Sequence, residues 1–413
     1  MVEYNYRIYP VVLITFLKIA VGFTLELAIP LYYIGIGMNP IYIGLITSAS
    51  WIVYLFSPLA LSKYYLRIGI KRCLLISVSG SFFILFMIQF TLEPLIVFFL
   101  FIGEGLFAGF FWPVLITNIS IVTARDNVCE DDSQQDKLTR SYNLAWNIGA
   151  IFSYLTGTIL LLFISDITVI FRLSFIYAIG LVFFAFFIED PKPEKNDAKT
   201  MVAKKKLIEK CDQEKVSFPK YLPYLIIFLN GFLIGALILL YPLKANQLNF
   251  VYYSTFLFNF FRMIGQTLTI YKTIGFSIKR LSKLVLISLI VLPLSFLGYG
   301  LNINIIIFGI LFIIFGIFVS IMYSISFNMV VYQNIIEYTA KYSSFFETSS
   351  GLGFFLAPII TGIIAGINVD IAFFFLGIIT TFFLIFFFII RKKISSEKTL
   401  VSDNLNRDNI FLE

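Results

Sequence analysis

Twelve apolar stretches, six on each side of a charged segment at 189–220, constrain this chain more than any other feature. They fall near 9–35, 41–61, 73–91, 95–121, 141–163, 168–188, 221–243, 250–271, 283–300, 304–330, 344–366 and 370–390. A helix needs about 20 mostly apolar residues to cross the hydrocarbon core of a bilayer. Lipid offers backbone N–H and C=O groups no partners, so each span is expected to be an α-helix that satisfies its own backbone. Composition agrees: of 413 residues, 59% are hydrophobic, only 13% are charged, and 49 are Phe. A soluble domain carries about 25% charged residues. The expected fold is an all-α polytopic membrane protein with twelve transmembrane helices in two six-helix bundles. The expected division is 1–188 for the first bundle, 189–220 for a linker, 221–393 for the second bundle and 394–413 for a disordered tail.

Charge alternates along the connections. One set of loops holds Lys63, Arg67, Lys71 and Arg72, then Arg125, Lys137 and Arg140, then nine Lys in 192–220, then Lys272, Lys279, Arg280 and Lys283. The other set holds little beyond Lys244. The positive-inside rule therefore predicts that both termini and the linker are cytoplasmic, in a multi-pass protein of the cell membrane. This bias accounts for the net charge of +7 and gives no reason to expect a nucleic-acid partner. The first apolar stretch is too long for a cleavable signal peptide and lacks a small-residue cleavage site. Cys73, Cys129 and Cys211 are scattered on the predicted cytoplasmic side and the chain has no His, so neither a disulfide nor a metal site is expected. No Gly-x4-Gly-Lys-Ser/Thr loop is present to hold ATP, and no cofactor is expected.

The two halves share marks in the same order. Ile29-Pro30-Leu31-Tyr32 followed by Asn39-Pro40-Ile41-Tyr42 matches Tyr241-Pro242-Leu243-Lys244 followed by Asn249-Phe250-Val251-Tyr252. The loop Arg67–Arg72 matches Ile274–Arg280. Gly149, Ser153 and Gly157 in span 5 match Gly353, Ala357 and Gly362 in span 11. A duplicated six-helix unit is the reading, and such repeats place a binding site at their interface near mid-membrane.

From Ile29 through Arg72 the chain resembles the first two helices and signature loop of the major facilitator superfamily, Gly-x3-Asp-Arg-x-Gly-Arg-Arg/Lys. Arg67, Gly69 and Lys71 are kept here, while Ser62 stands for the first Gly, Leu66 for the Asp and Ile70 for one Arg. Gly149, Ser153, Tyr154 and Gly157 look like a degenerate Gly-Pro motif of the fifth helix, associated with exporters and here without its Pro. Phe111-Trp112-Pro113 is similar to the family's fourth helix. The resemblance, over about residues 5–393, implies two pseudo-symmetric bundles that rock about a central cavity. Spans 1, 4, 7 and 10 would line it, spans 2, 5, 8 and 11 flank it, and spans 3, 6, 9 and 12 support it from outside.

Charge inside a bilayer is costly and marks candidate functional residues. Lys18 and Glu26 (span 1), Glu104 (span 4), Arg262 (span 8) and Glu347 (span 11) are the deep ones, and none lies on a proposed support helix. Lys18 and Glu26 are eight residues apart, about 12 Å along the axis, too far for a tight pair. Without His, any proton coupling falls to a carboxylate, Glu26 or Glu104. The alternative is structural: Lys18 neutralises Glu104 or Glu26, and Arg262 bonds helix carbonyls. Trp112, Asn230 and Asn259 join Lys18, Glu26, Glu104 and Arg262 as candidates for substrate binding or coupling. Arg67, Gly69, Lys71, Arg72, Asn143 and Glu347 are candidates for gating.

The expected function is secondary active transport of a small organic solute by a monomer, with proton coupling and a lean to efflux of drug-like or metabolite compounds. Import of sugars or other nutrients is the alternative. From other classes, a polytopic membrane enzyme or a non-transporting sensor or scaffold stays open. Embedded Glu with aromatic neighbours suits a cationic solute, and Lys18 with Arg262 suits an anion; the sequence does not choose.

Overall fold

The computed structural model describes residues 8–61, 64–115, 132–188, 219, 221–273, 276, 278–301, 303–337 and 341–410. Twelve long helices follow one another: α1 (Ile8–Gly35), α2 (Pro40–Tyr54), α3 (Ile70–Ile88), α4 (Pro94–Gly109), α5 (Asp132–Phe163), α6 (Thr168–Ala185), α7 (Leu222–Gln247), α8 (Tyr252–Thr273), α9 (Ile278–Leu301), α10 (Ile305–Glu337), α11 (Lys341–Ala365) and α12 (Val369–Ile410). Among the described residues there is no strand. The linker, apart from Pro219, lies outside the described residues. α12 runs on to Ile410 through most of the stretch whose composition reads as a disordered tail. Extending a helix that already exists needs no new nucleus.

Local chemistry sets the ends. Asn39 Oδ1 accepts from Ile41 N–H at 2.9 Å and Glu93 Oε2 from Ile96 N–H at 2.9 Å, each just ahead of a proline in the first helical turn. That proline has no N–H to leave unsatisfied. Two helices stop early for the opposite reason. α2 ends at Tyr54, four residues before Pro58, and α4 ends at Gly109, four residues before Pro113. Each proline removes the donor that the carbonyl four residues back would use. Short helical pieces, Ser57–Leu61 and 112–115, carry the two spans onward.

Eleven spans among the described residues are long and apolar enough to cross a membrane by length and composition alone. The one of the twelve not among them is α8, where Asn259, Arg262 and Gln266 recur at helical spacing and are all buried. Its polar stripe faces protein, which tolerates what lipid does not.

Helix packing repeats between the halves. α1 packs on α5 and α6 as α7 packs on α11 and α12; α2 on α4 as α8 on α10; α3 on α4 and α6 as α9 on α10 and α12. A single contact shows the register. A side chain at Gly149 of α5 would strike the backbone of Phe16, and one at Gly353 of α11 would strike the backbone of Phe228. Phe16 and Phe228 each lie fourteen residues before the proline inside their own helix, Pro30 and Pro242. The main packing between the bundles is carried by α2 on α11, α5 on α8 and α1 on α7. α3, α6, α9 and α12 stay outside these seams, as expected. α7 is buried on nearly every side, consistent with a helix apolar all round.

Candidate functional site

The embedded charges separate into three clusters. In the first, Lys18 Nζ of α1 meets Glu104 Oε1 of α4 at 2.5 Å and donates to Ser81 Oγ of α3 at 2.5 Å. Ser81 Oγ in turn donates to Glu104 Oε1 at 3.0 Å. Phe111 lies 5.8 Å from the ammonium, measured to the ring centroid. All four residues belong to the first bundle, so the pair ties helices within a bundle rather than across the seam. Glu104 Oε2 is buried with no hydrogen-bond partner among the described residues.

The second cluster crosses the α5/α8 seam. Arg262 of α8, 1% exposed, donates from Nε to Asn259 Oδ1 at 3.0 Å, from Nη1 to Gln266 Oε1 at 3.5 Å and from Nη2 to the Tyr154 hydroxyl of α5 at 3.2 Å. Asn259 and Gln266 sit one turn either side of Arg262, so α8 itself supplies two of the three acceptors. The guanidinium also lies 5.9 Å from the Tyr154 ring centroid. Glu26 of α1 is half-buried and within electrostatic reach of Arg262, without forming an ion pair with it. Phe23, three residues before Glu26, packs edge-on against Tyr154 and Trp146 at 5.5 and 5.2 Å.

The third cluster crosses the α2/α11 seam. The Tyr54 hydroxyl donates to Glu347 Oε2 at 2.5 Å. Glu347, Gly351 and Phe354 share one face of α11 by their four- and three-residue spacing. That face meets Trp51 and Tyr54: Trp51 stacks on Phe354 at 4.4 Å and lies edge-on to Tyr54 at 5.3 Å. Tyr65, Tyr142 and Tyr323 are within electrostatic reach of the carboxylate. Toward the other end of the same seam the contact becomes backbone to backbone. A side chain at Gly44 would lie 2.3 Å from Pro358 O.

The remaining sequence candidates are placed as follows. Asn230 is buried and its Nδ2 donates to Val319 O of α10 at 2.6 Å, a helix-to-helix bond. Trp112 is half-buried, edge-on to Phe111 at 4.8 Å. Gly69 has φ 92°, which a side chain rarely adopts, and turns the chain from the piece Tyr65–Ile68 into α3. Lys71 Nζ donates to Phe186 O beyond the end of α6 at 3.2 Å, where a cation suits exposed helix carbonyls. Arg67 and Arg72 are exposed. The side chain of Asn143 lies outside the described residues. Sequence reasoning did not single out Tyr54, Trp51 as a wall, or Ser81. The only signal for the first two is their three-residue spacing near a span end, and Ser81 gives none.

The family model of the Major Facilitator Superfamily matches residues 11–335. Among curated proteins none matches the sequence. Solved structures with similar folds include the nucleoside transporter NupG, at TM-score 0.65 and 14% identity, over 93% of this chain and 99% of that one. The human organic anion transporter MFSD10 (TETRAN) gives TM-score 0.63 and 14% identity over 93% and 100%. A bacterial homolog of the human lysosomal transporter Spinster, inward-facing and unoccupied, gives TM-score 0.68 and 11% identity over 95% and 98%. At such identities the likeness speaks for the fold.

Proposed function

The chain belongs to the major facilitator superfamily and so is a transporter of some solute rather than an enzyme; we propose that it works by alternating access as a secondary, proton-coupled transporter of a small organic solute, directed to efflux. We further propose the cell membrane as its location, with both termini and the linker cytoplasmic, as the loop charges require. It acts as a monomer, because one chain supplies both sides of each seam.

The observation that carries the reading is Arg262. A guanidinium buried among neutral acceptors reaches across a seam between bundles to Tyr154 and lies within electrostatic reach of Glu26. In a low-dielectric interior their attraction is strong. A proton on Glu26 removes that attraction and weakens the hold of α8 on the first bundle; loss of the proton restores it. Proton occupancy is thereby coupled to seam opening. Glu104 is occupied by Lys18, so the proton traffic is assigned to Glu26 alone. The ends of the α2/α11 seam also differ. One closes backbone to backbone at Gly44, whereas the end at Glu347 closes through side chains, which can part with rotamer changes. Glu347 is therefore assigned to that gate, and Arg67, Gly69, Lys71 and Arg72 to the loop beside it.

The test uses proteoliposomes and a solute found by thermal-shift screening of the purified protein against metabolites and drug-like compounds. Glu26→Gln is expected to abolish flux driven by a pH gradient while leaving counterflow exchange intact. Gradient-driven flux unchanged in Glu26→Gln refutes the coupling. Solute and proton moving in the same direction refutes efflux by exchange and points to import.

A further inference from the structure

We propose that Glu347 is the recognition point for a monovalent organic cation with an apolar body, seated among Glu347, Tyr54, Trp51, Phe354 and Tyr323. This deepens the transport reading and rests on it for movement of the cation, not for its binding.

Charge balance at the seams leads to this site. Lys18 is neutralised by Glu104 inside the first bundle. Arg262 is 1% exposed, donates to three neutral acceptors and lies within electrostatic reach of Glu26. Neither base is left to receive an anion. Glu347 is different. It is half-buried, it accepts one hydrogen bond from Tyr54, and no ion pair involves it among the described residues. Among the described residues its titratable neighbours are phenols: Tyr54 on α2, Tyr65 on the piece Tyr65–Ile68, Tyr142 on α5 and Tyr323 on α10. α7 and α12, which also pack on α11, bring no charged group to it among the described residues. A carboxylate within a membrane span calls for a counter-charge, and none pairs with Glu347 among the described residues.

The surroundings select which cation. Trp51 and Phe354 are half-exposed and stacked at 11° between planes, so a broad aromatic surface stands beside the carboxylate. Tyr323, also half-exposed, stacks with Trp146 at 6.5 Å on the far side. Aromatic faces attract cations through their quadrupole, most strongly where water is excluded. An inorganic cation such as calcium or magnesium would want about six oxygen ligands or more, whereas the body of an organic cation is met by the rings of Tyr54, Trp51, Phe354 and Tyr323. An organic ammonium or phosphonium meets both features, charge to Glu347 and body to the rings. A proton competes for the same carboxylate, so lowering the pH is expected to weaken cation binding.

Two probes of one shape and opposite charge test this on the purified full-length protein: tetraphenylphosphonium and tetraphenylborate, measured by equilibrium dialysis and by Trp fluorescence. The phosphonium is expected to bind and the borate to bind at least about tenfold more weakly. Glu347→Gln is expected to lower phosphonium affinity by about tenfold or more and remove its pH dependence, with Glu347→Asp retaining part of both. Equal or tighter binding of the borate by the unaltered protein overturns the proposal without recourse to a variant. So does undiminished phosphonium binding in a folded Glu347→Gln. Phosphonium bound through Glu347 but never carried in proteoliposomes supports this site and sinks the transport reading. Flux of another solute with no phosphonium binding does the reverse.

Discussion

Lys18 and Asn230 occupy the same place in the two halves. Each stands twelve residues before the proline of the first helix of its bundle, Pro30 or Pro242. Each reaches from that helix to the fourth helix of the same bundle, Lys18 to Glu104 and Asn230 to the carbonyl of Val319. In one half the staple is ionic and includes Ser81; in the other it is a neutral amide. The second bundle shows that the position needs a staple and does not need a charge. An embedded ion pair is therefore weak evidence of function when its repeat partner does the same job uncharged. The charges that remain informative are those on the seams, Glu26, Arg262 and Glu347, where the bundles must part.

The largest effect expected from this comparison is in the first bundle. Lys18→Met leaves Glu104, 19% exposed, without a counter-charge and should cost about 3 kcal/mol of stability, the low end for a broken buried pair. Adding Glu104→Leu should recover most of it, because a well-packed apolar pair often matches a buried ion pair and Glu104 Oε2 is already unpaired. Thermal unfolding in detergent measures both variants. A double variant as unstable as the single, or one that folds but has lost transport, breaks the assignment of Lys18 and Glu104 to structure. The second bundle has an ion pair of its own at the end away from the linker, Lys244 with Asp370 at 2.5 Å, and there the prediction is smaller. Asp370 is 37% exposed, so its charge keeps solvent when Lys244 is removed. Lys244→Met should cost about 1 kcal/mol or less, after allowance for screening, on the same unfolding measurement. A loss as large as that of Lys18→Met would mean that depth does not set the price of an unpaired charge here.

Much of this was legible in the sequence, and the failures have a common cause. Apolar runs and the prolines at 30 and 242 displayed the helices and their duplication, because lipid enforces both length and hydrogen bonding along one segment. α8 reads as a span despite Arg262, and Asn259 falls one turn from it, because spacing within a helix is local. The sequence leaves the partner of Lys18 open between Glu26 and Glu104. That choice depends on how α1 is rotated against α3 and α4, which no single helix records. Tyr54 escaped for the same reason. Its role comes from Glu347, 293 residues away, and from the break that Pro58 imposes at the end of α2. Side chains that act across a seam are set by bundle docking, the level of structure farthest from local pattern.

The smallest effect sharpens the comparison most. Asn230→Leu removes the neutral staple, and an interhelical hydrogen bond in a membrane protein is worth about 0.6 kcal/mol on average. Val319 O loses little, because a carbonyl inside a helix already accepts the bond of its own backbone. Leu also fills the apolar surroundings left by the amide, where Leu229, Leu233 and Ile226 of α7 are buried nearby in sequence. Asn230→Leu should therefore unfold close to the unaltered protein, while Lys18→Met does not. Transport then separates two roles that stability cannot. If Asn230 only staples α7 to α10, the folded variant should carry solute with an unchanged KM. A KM raised tenfold at unchanged stability would place Asn230 in contact with solute, and the equivalence with Lys18 would be one of position and no longer one of job.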